Sequence, residues 1–175
     1  MVVTLRCRSN YVLKMAPLSD ADLTEQSQEH LAYEVRMFLA AVFMPLELPE
    51  GDGDRSWFIR NARSEAAVLH GRNLIDFLYP RGSSRQDDLR ADHFYADPSV
   101  CRAETIPPEL ENLRARADKE IAHLTIKRLP GSPPEKAYDE AAFESLLARL
   151  RDFVRAADPS KLHPSVNRLL VREPT

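Results

Sequence analysis

Clusters of proline and glycine constrain the fold of this chain more than any other feature of its sequence. Most of its 13 prolines and five glycines fall into five stretches, residues 45–54, 80–84, 98–108, 130–134 and 159–164. Both residue types interrupt regular secondary structure, so these stretches mark turns and loops. The segments between them have the lengths of ordinary helices. The sequence therefore predicts a series of separate helices joined by short connections.

Four long helices and two short ones are expected. They cover about residues 19–44, 55–79, 86–95, 107–128, 134–157 and 165–171. The helix at 134–157 is the most clearly amphipathic, because its apolar residues recur every three or four positions on one face. No alternating strand pattern or internal repeat competes with this interpretation. Short connections between such helices favour an all-α, up-and-down bundle of four to five main helices.

The same pattern suggests how the chain is organised. We expect an N-terminal arm at 1–18, a helical bundle at 19–157 and a C-terminal tail with a short helix at 158–175. The arm is expected to be disordered or an extension of the translation start, since Met15 offers a second start. Residues 31–44 are apolar on nearly every side, which predicts a helix that is buried throughout or shared with a second subunit. The single tryptophan, Trp57, is expected in the core.

Charge and cysteine content exclude several classes of function. The chain has 24 Lys and Arg against 27 Asp and Glu, a net charge of −3, so no global basic field attracts nucleic acid or anionic membrane. Cys7 and Cys101 lie far apart and form no Cys-x-x-Cys pair, which is typical of a reducing cytoplasm. The most apolar stretch contains Arg36 and Pro45 and is too short to span a bilayer. We therefore expect a cytoplasmic protein without a membrane segment.

Polar residues interrupt the second predicted helix on its core side. Glu65, Arg72 and Asp76 lie within about 40° of one another at 100° per residue. Arg72 and Asp76 are also four residues apart, the spacing of a helical ion pair. One interpretation is a buried polar network that fixes the packing of the helix. The other is the polar wall of a binding cleft, which His70 would share with Arg72 and Asp76.

Charged residues line one edge of the helix predicted at 107–128. Arg116 and His123 are separated by seven positions, so they lie within about 20° around the helix and about 10 Å apart along it. Glu120 and Lys127 extend this row beside the apolar stripe. The row is either an ordinary solvated edge or one side of a groove that binds a ligand.

Arg116, six intervening residues and His123 resemble the Arg-then-His signature of the HEPN superfamily of small all-α bundles. The strings HGRNLIDF (70–77), DDLRAD (87–92) and IAHLT (121–125) are similar to those of an uncharacterised group of bacterial HEPN-like proteins. One departure is visible: catalytic members often carry a polar residue directly after the Arg, and here Ala117 stands there, with Asp118 one place later.

This resemblance implies a metal-independent endoribonuclease or a toxin-type, RNA-directed protein. His123 would transfer protons and Arg116 would stabilise the charge on the phosphate. Lys119, Lys127 and Arg128 would widen the contact with phosphates. The resemblance also implies a homodimer, an RNA or nucleotide ligand and an antitoxin-type partner protein. The alternative is a non-catalytic helical bundle that binds a nucleotide, RNA or protein.

A metal site is a minor third alternative. Its ligands would come from His70, Asp76, Asp88, Asp92, His93 and His123. These ligands would have to converge from three separate helices. We therefore predict no metal and no other cofactor.

Overall fold

The computed structural model describes residues 18–48, 52–82, 88–99, 105–120 and 138–171, and all regular structure within them is helical. The helices are α1 (Asp20–Gln26), α2 (Ala32–Phe43), α3 (Gly53–Leu78), α4 (Pro108–Glu120), α5 (Glu140–Ala156) and α6 (Pro164–Val171). A π-helical turn, Ser27–Leu31, joins α1 to α2 without a break, and a 3₁₀ turn, Ala91–Phe94, lies between α3 and α4. The described residues thus form five continuous α-helical segments, and the all-α prediction is confirmed. Of these helices, none is long and apolar enough to cross a membrane.

Side-chain caps set the starts of three helices. Ser19 caps α1 in a reciprocal box, in which the Ser19 hydroxyl accepts from the Asp22 backbone N–H and the Asp22 carboxylate accepts from the Ser19 backbone N–H. Asp52 caps α3, because its carboxylate accepts from the Arg55 backbone N–H at 2.9 Å. Asp139 caps α5 in the same way.

The helices α2 and α4 both run antiparallel to α3. Glu34 near the start of α2 contacts His70 late in α3, whereas Ala41 near the end of α2 contacts Arg63. The core lies between α2, α3, α4 and α5. Gly71 of α3 faces this core, since a Cβ there would make van der Waals contacts of 3.6 to 3.8 Å with side chains of α2, α5 and α4. A side chain larger than alanine at this position would crowd these helices.

An aromatic cluster packs the 3₁₀ turn against this core. The Phe94 ring lies 5.9 Å from both the Phe77 and the Phe153 rings, and the latter two are 5.1 Å apart, edge to face. The Phe94 carbonyl accepts from the backbone N–H of Asp158 at 2.8 Å. The turn is therefore held by α3, α5 and the segment that follows α5.

The segment expected as a separate tail shares the same core. Its residues Leu162, Val166 and Leu170 are buried. The backbone N–H of His163 donates to the hydroxyl of Ser27, a buried residue in the π-helical turn, at 2.9 Å. Helix α6 is thus tied to the first helical segment as well as to α5. The expected arm at 1–17 lies outside the described residues.

One burial prediction holds only in part, and another is wrong. Within residues 31–44, Val35 and Phe38 are buried, but Tyr33 and Met44 are exposed. Trp57 is exposed rather than in the core. Residues 53–66 of α3 are all exposed or half-buried, and the first buried residue of α3 is Ala67. The first half of α3 and the segment that follows α2 therefore extend beyond the core as a hairpin.

Candidate functional site

Five charged side chains meet between α3 and α4, and we call them the arginine–aspartate cluster: Arg72, Asp76, Arg81, Arg114 and Asp118. Asp118 lies at its centre. One oxygen of its carboxylate accepts from Arg72 Nε at 2.8 Å and the other accepts from Arg81 Nη2 at 2.7 Å. Each oxygen of Asp118 is therefore held by a separate guanidinium, the strong charge-assisted type of hydrogen bond.

Asp76 joins all three arginines of the cluster. Its carboxylate lies 3.4 Å from Arg72 Nη2, 3.3 Å from Arg81 Nε and 3.5 Å from Arg114 Nη1. Arg72 and Asp76 thus form the helical ion pair that their spacing predicts. These longer distances describe ion pairs rather than well-aligned hydrogen bonds.

Arg114 anchors the cluster to the body of the protein. It is almost fully buried, donates to the Tyr79 carbonyl at 3.0 Å at the end of α3, and forms an ion pair with Glu111 one turn earlier in α4. With Glu111 included, three guanidinium charges face three carboxylates. The cluster is electrically balanced, so it does not present a net positive field to a polyanion.

The cluster shifts the pKa values of two of its own members, Asp118 and Arg81. Partial burial raises the pKa of Asp118, but the hydrogen bonds from Arg81 and Arg72 outweigh it and hold that pKa below its usual value. The hydrogen bond to Asp118 is also the largest cause of the raised pKa of Arg81. Both groups are therefore charged throughout the neutral range.

Sequence analysis identified only part of this cluster. Glu65, which we grouped with Arg72 and Asp76, is exposed and lies in the projecting half of α3. Arg114 escaped notice although it lies among the apolar stripe residues of α4, next to Leu113. A charged residue inside an apolar stripe was the available signal, because such a residue needs a partner across the interface.

His70 lies on a different side of α3. Its Nδ1 is 2.8 Å from the Glu34 carboxylate of α2, and the Tyr33 ring meets its imidazole edge to face at 5.7 Å. Asn73 donates to the same Glu34 oxygen at 3.2 Å and accepts from Arg72 at 3.4 Å. A continuous line of polar contacts therefore crosses the outer face of α3, from α2 to the arginine–aspartate cluster.

Arg116 lies on the opposite flank of α4 from the cluster. Residues that are two positions apart on a helix differ in direction by about 200°, so Arg116 and Asp118 point to opposite sides. The Arg116 guanidinium lies over the ring of Tyr138, 4.4 Å from its centre, just before α5 begins. On the same flank, Glu109 accepts from the Ser145 hydroxyl of α5 at 2.7 Å. This flank therefore faces α5, and we call it the Arg116 flank.

The predicted site residues consequently fall into three places. His70 faces α2, Arg72 and Asp76 belong to the arginine–aspartate cluster, and Arg116 is on the Arg116 flank. Lys119 is exposed near the end of α4. The remaining predicted residues, His123, Lys127 and Arg128, lie outside the described residues.

Within the described ranges, no group of three or more His, Cys, Asp or Glu side chains gathers closely enough to hold a metal ion. Among the predicted metal ligands, Asp92 and His93 of the 3₁₀ turn lie near each other, with His93 Nε2 3.8 Å from Asp92 Oδ1. Arg90 lies beside both, with its Nε 3.2 Å from Asp92 and its Nη2 3.1 Å from His93 Nε2. The Arg90 guanidinium therefore lies where a metal cation would pair with the Asp92 carboxylate. Burial, the largest cause, lowers the pKa of His93, and Asp92 opposes that shift.

Comparisons with protein-family models, with curated proteins and with solved structures found no match to this chain. Its function is therefore argued from its own residues.

Proposed function

We propose that this chain is an HEPN-like, up-and-down helical bundle that acts on RNA in the cytoplasm as a metal-independent endoribonuclease, with Arg116 and His123 as its catalytic residues. The observation that carries the proposal is the placement of Arg116. It lies at the edge of the apolar stripe of α4, and the Tyr138 ring fixes its guanidinium from one side.

The chemistry of Arg116 supports a phosphate contact. Stacking uses the planar face of a guanidinium, whereas phosphate is bound by the N–H groups at its edge. The contact with Tyr138 uses the planar face of the guanidinium. The proposed phosphate contact would use its N–H edge.

The proposed reaction needs one proton carrier and one charge stabiliser. His123 takes the proton of a ribose 2′-hydroxyl, whose oxygen attacks the adjacent phosphorus, and a proton returns to the departing 5′-oxygen. Arg116 stabilises the negative charge that grows on the phosphate oxygens. Lys119, Lys127 and Arg128 contact neighbouring phosphates, and the protein works as a homodimer that an antitoxin-type partner restrains.

A second candidate function has an observation in its favour. Ala117, which stands where catalytic HEPN members often carry a polar residue, is buried, and Asp118 is held on the other flank by Arg72 and Arg81. No polar side chain directly after Arg116 assists the reaction. This favours a non-catalytic bundle that binds RNA, a nucleotide or a protein through the same flank.

The deciding experiment incubates the purified protein with end-labelled single-stranded RNA, with and without a chelator. We expect cleavage that the chelator leaves unchanged. His123→Ala is expected to abolish cleavage and leave most of the binding. Arg116→Ala is expected to slow cleavage roughly 100-fold and to weaken binding as well, because a phosphate contact serves both the ground state and the transition state. Arg168→Ala, an exposed arginine on α6, is the matched control and should change neither.

Each other outcome has a defined meaning. Cleavage that the chelator abolishes would contradict the metal-free mechanism. Binding that weakens with salt and is lost in Arg116→Ala, without any cleavage, would establish the second candidate. If Arg116→Ala and His123→Ala behave like Arg168→Ala, the Arg116 flank is an ordinary solvated surface and both functions are wrong.

A further inference from the structure

Four large apolar side chains are exposed together at the end of the projecting hairpin, and we call them the hairpin tip: Met44, Leu46, Trp57 and Phe58. Their exposed fractions are 60%, 38%, 67% and 65%. Met44 and Leu46 follow the end of α2, and Trp57 and Phe58 lie in the first turns of α3.

The pairing of the two helices places these residues at one level of the molecule. Arg63 of α3 donates to the carbonyls of Ala41 and Val42 at 2.6 and 3.1 Å. In an antiparallel pair, moving five or six residues back along α3 from Arg63 corresponds to moving the same distance forward along α2. Trp57 and Phe58 therefore lie level with the segment that contains Met44 and Leu46.

The two aromatic residues also face away from α2. At 100° per residue, Trp57 and Phe58 both lie more than about 100° from Arg63, which points to α2. Farther along α3, that side of the helix packs on α4, as the contact of Arg72 with Asp118 shows. At the hairpin tip the same side is uncovered.

We propose that the hairpin tip is the surface through which two copies of this chain form a symmetric dimer. The exposed area fits this occupant. Since large side chains bury roughly 150–250 Å² each, the four exposed fractions amount to on the order of 500 Å². A stable interface buries about 800 Å² per partner, and about 65% of a homodimer interface is apolar, which is close to the apolar area of the hairpin tip.

The charges around the hairpin tip suit a second copy. A symmetric dimer places the same surface on both sides, so that surface must be complementary to itself. Acidic Glu47 and Asp54 and basic Arg55 and Arg60 are all exposed beside the tip. With both signs present, an acidic residue of one copy can face a basic residue of the other.

The proposed function includes a homodimer, and this inference adds the surface through which it forms. The inference rests on the exposure of the hairpin tip and not on the chemistry of Arg116 and His123.

Trp57 makes the dimer directly measurable, since it is the only tryptophan in the chain. The experiment follows the sedimentation and the tryptophan emission of the full chain over a dilution series. We expect a species of twice 19.9 kDa at high concentration and a red shift of the emission as dilution releases monomer. Phe58→Asp should weaken association at least roughly 100-fold, because the charge enters the apolar centre of the interface twice.

Val171→Asp is the matched control, because Val171 is as exposed as Trp57 but lies at the end of α6. It should dimerise like the parent, and unchanged far-ultraviolet circular dichroism should show that both variants are folded. A parent chain that stays monomeric at high concentration would overturn the inference. Equal weakening by Val171→Asp, or a blue-shifted emission that does not depend on concentration, would overturn it as well.

Cleavage assays keep this inference separate from the proposed function. A monomeric Phe58→Asp variant reports only on the hairpin tip, since Phe58 has no part in the proposed chemistry. A dimer without RNA cleavage would leave the hairpin tip established and the ribonuclease proposal wrong. A monomer that cleaves RNA would overturn the hairpin-tip dimer and leave the roles of Arg116 and His123 standing.

Discussion

The two halves of α3 reverse the usual distribution of polar and apolar residues. Residues 67–78 lie in the body of the protein, and this half carries His70, Arg72 and Asp76. Residues 53–66 project from the body, and this half exposes Trp57 and Phe58. One helix thus buries ionisable groups where it is covered and presents large apolar groups where it is not.

The difference shows that two separate requirements act on the same helix. In the covered half, each charge has a counter-charge from a neighbouring helix, which makes partial burial tolerable. In the projecting half, the apolar side chains of Trp57 and Phe58 are mostly exposed. The covered half is therefore complete in the monomer, and the projecting half is the part that a second copy would complete.

The largest expected effect separates the two halves by a matched pair of phenylalanines. Phe38 is fully buried and packs against Phe43 and Phe143, with ring centres 6.1 and 6.0 Å away. Phe38→Ala should lower the free energy of unfolding by about 4 kcal/mol, because it removes buried apolar surface and leaves a cavity. Phe58→Ala should change it by less than about 0.5 kcal/mol under monomeric conditions. Urea denaturation of the two variants at low protein concentration measures both values.

The variants Phe38→Ala and Phe58→Ala should also differ in how their stability depends on protein concentration. A dimer through the hairpin tip adds stability by mass action, so Phe58→Ala should become destabilising at high concentration while the effect of Phe38→Ala stays large at both. Equal destabilisation by both substitutions at low concentration would show that the projecting half is covered within one copy.

A second matched pair tests whether the arginine–aspartate cluster is part of the covered body. Arg114 and Arg155 each form an ion pair with a carboxylate three residues earlier, Glu111 and Asp152, but their side chains are 9% and 71% exposed. Arg114→Met should lower the free energy of unfolding by about 2 kcal/mol, since the Tyr79 carbonyl loses the hydrogen bond from Arg114 and Asp76 loses one of its three arginine partners. Arg155→Met should cost no more than about 0.5 kcal/mol, as exposed pairs do. Thermal or urea unfolding that treats the two variants alike would show that the cluster is solvated.

The helices could be predicted because their signals are local. Proline clusters, the Ser19 cap and the apolar stripe of α5 each act within a few residues, and the structure places helices there. The exposure of Trp57 could not be predicted in this way. It depends on how far α4 and α5 reach along α3, which is a property of the packed helices and not of the residues around Trp57.

The candidate site shows the same division. The Arg72 and Asp76 pair follows from a spacing of four residues, whereas the contacts of Asp118 with Arg72 and Arg81 join positions 46 and 37 residues apart. A single sequence gives no register between helices, so it could not show that Asp118 faces α3 while Arg116 faces Tyr138. The opposite directions of positions 116 and 118 were available from helical geometry, but their partners were not.

The smallest expected effect concerns His93, beside the body rather than in the hairpin. Burial lowers the pKa of His93, Arg90 lowers it further and Asp92 partly opposes them, so the folded protein holds this ring neutral below the ordinary value of 6.5. As the pH falls from above 6.5, the unfolded chain binds a proton at this ring before the folded protein does. The free energy of unfolding should therefore decrease over this range and level off below the lowered pKa.

His93→Gln isolates that contribution, because an amide oxygen can still accept from Arg90 but does not titrate. Unfolding measured between neutral and mildly acidic pH should show a shallower decrease for this variant than for the parent. Asp118 also contributes a loss of stability, which occurs in both proteins and at lower pH. The pKa of Asp118 is held below the ordinary 3.8, so its stabilisation disappears only as that carboxylate is protonated. Parent and variant profiles that coincide just below pH 6.5 would contradict the assignment of this stability change to His93.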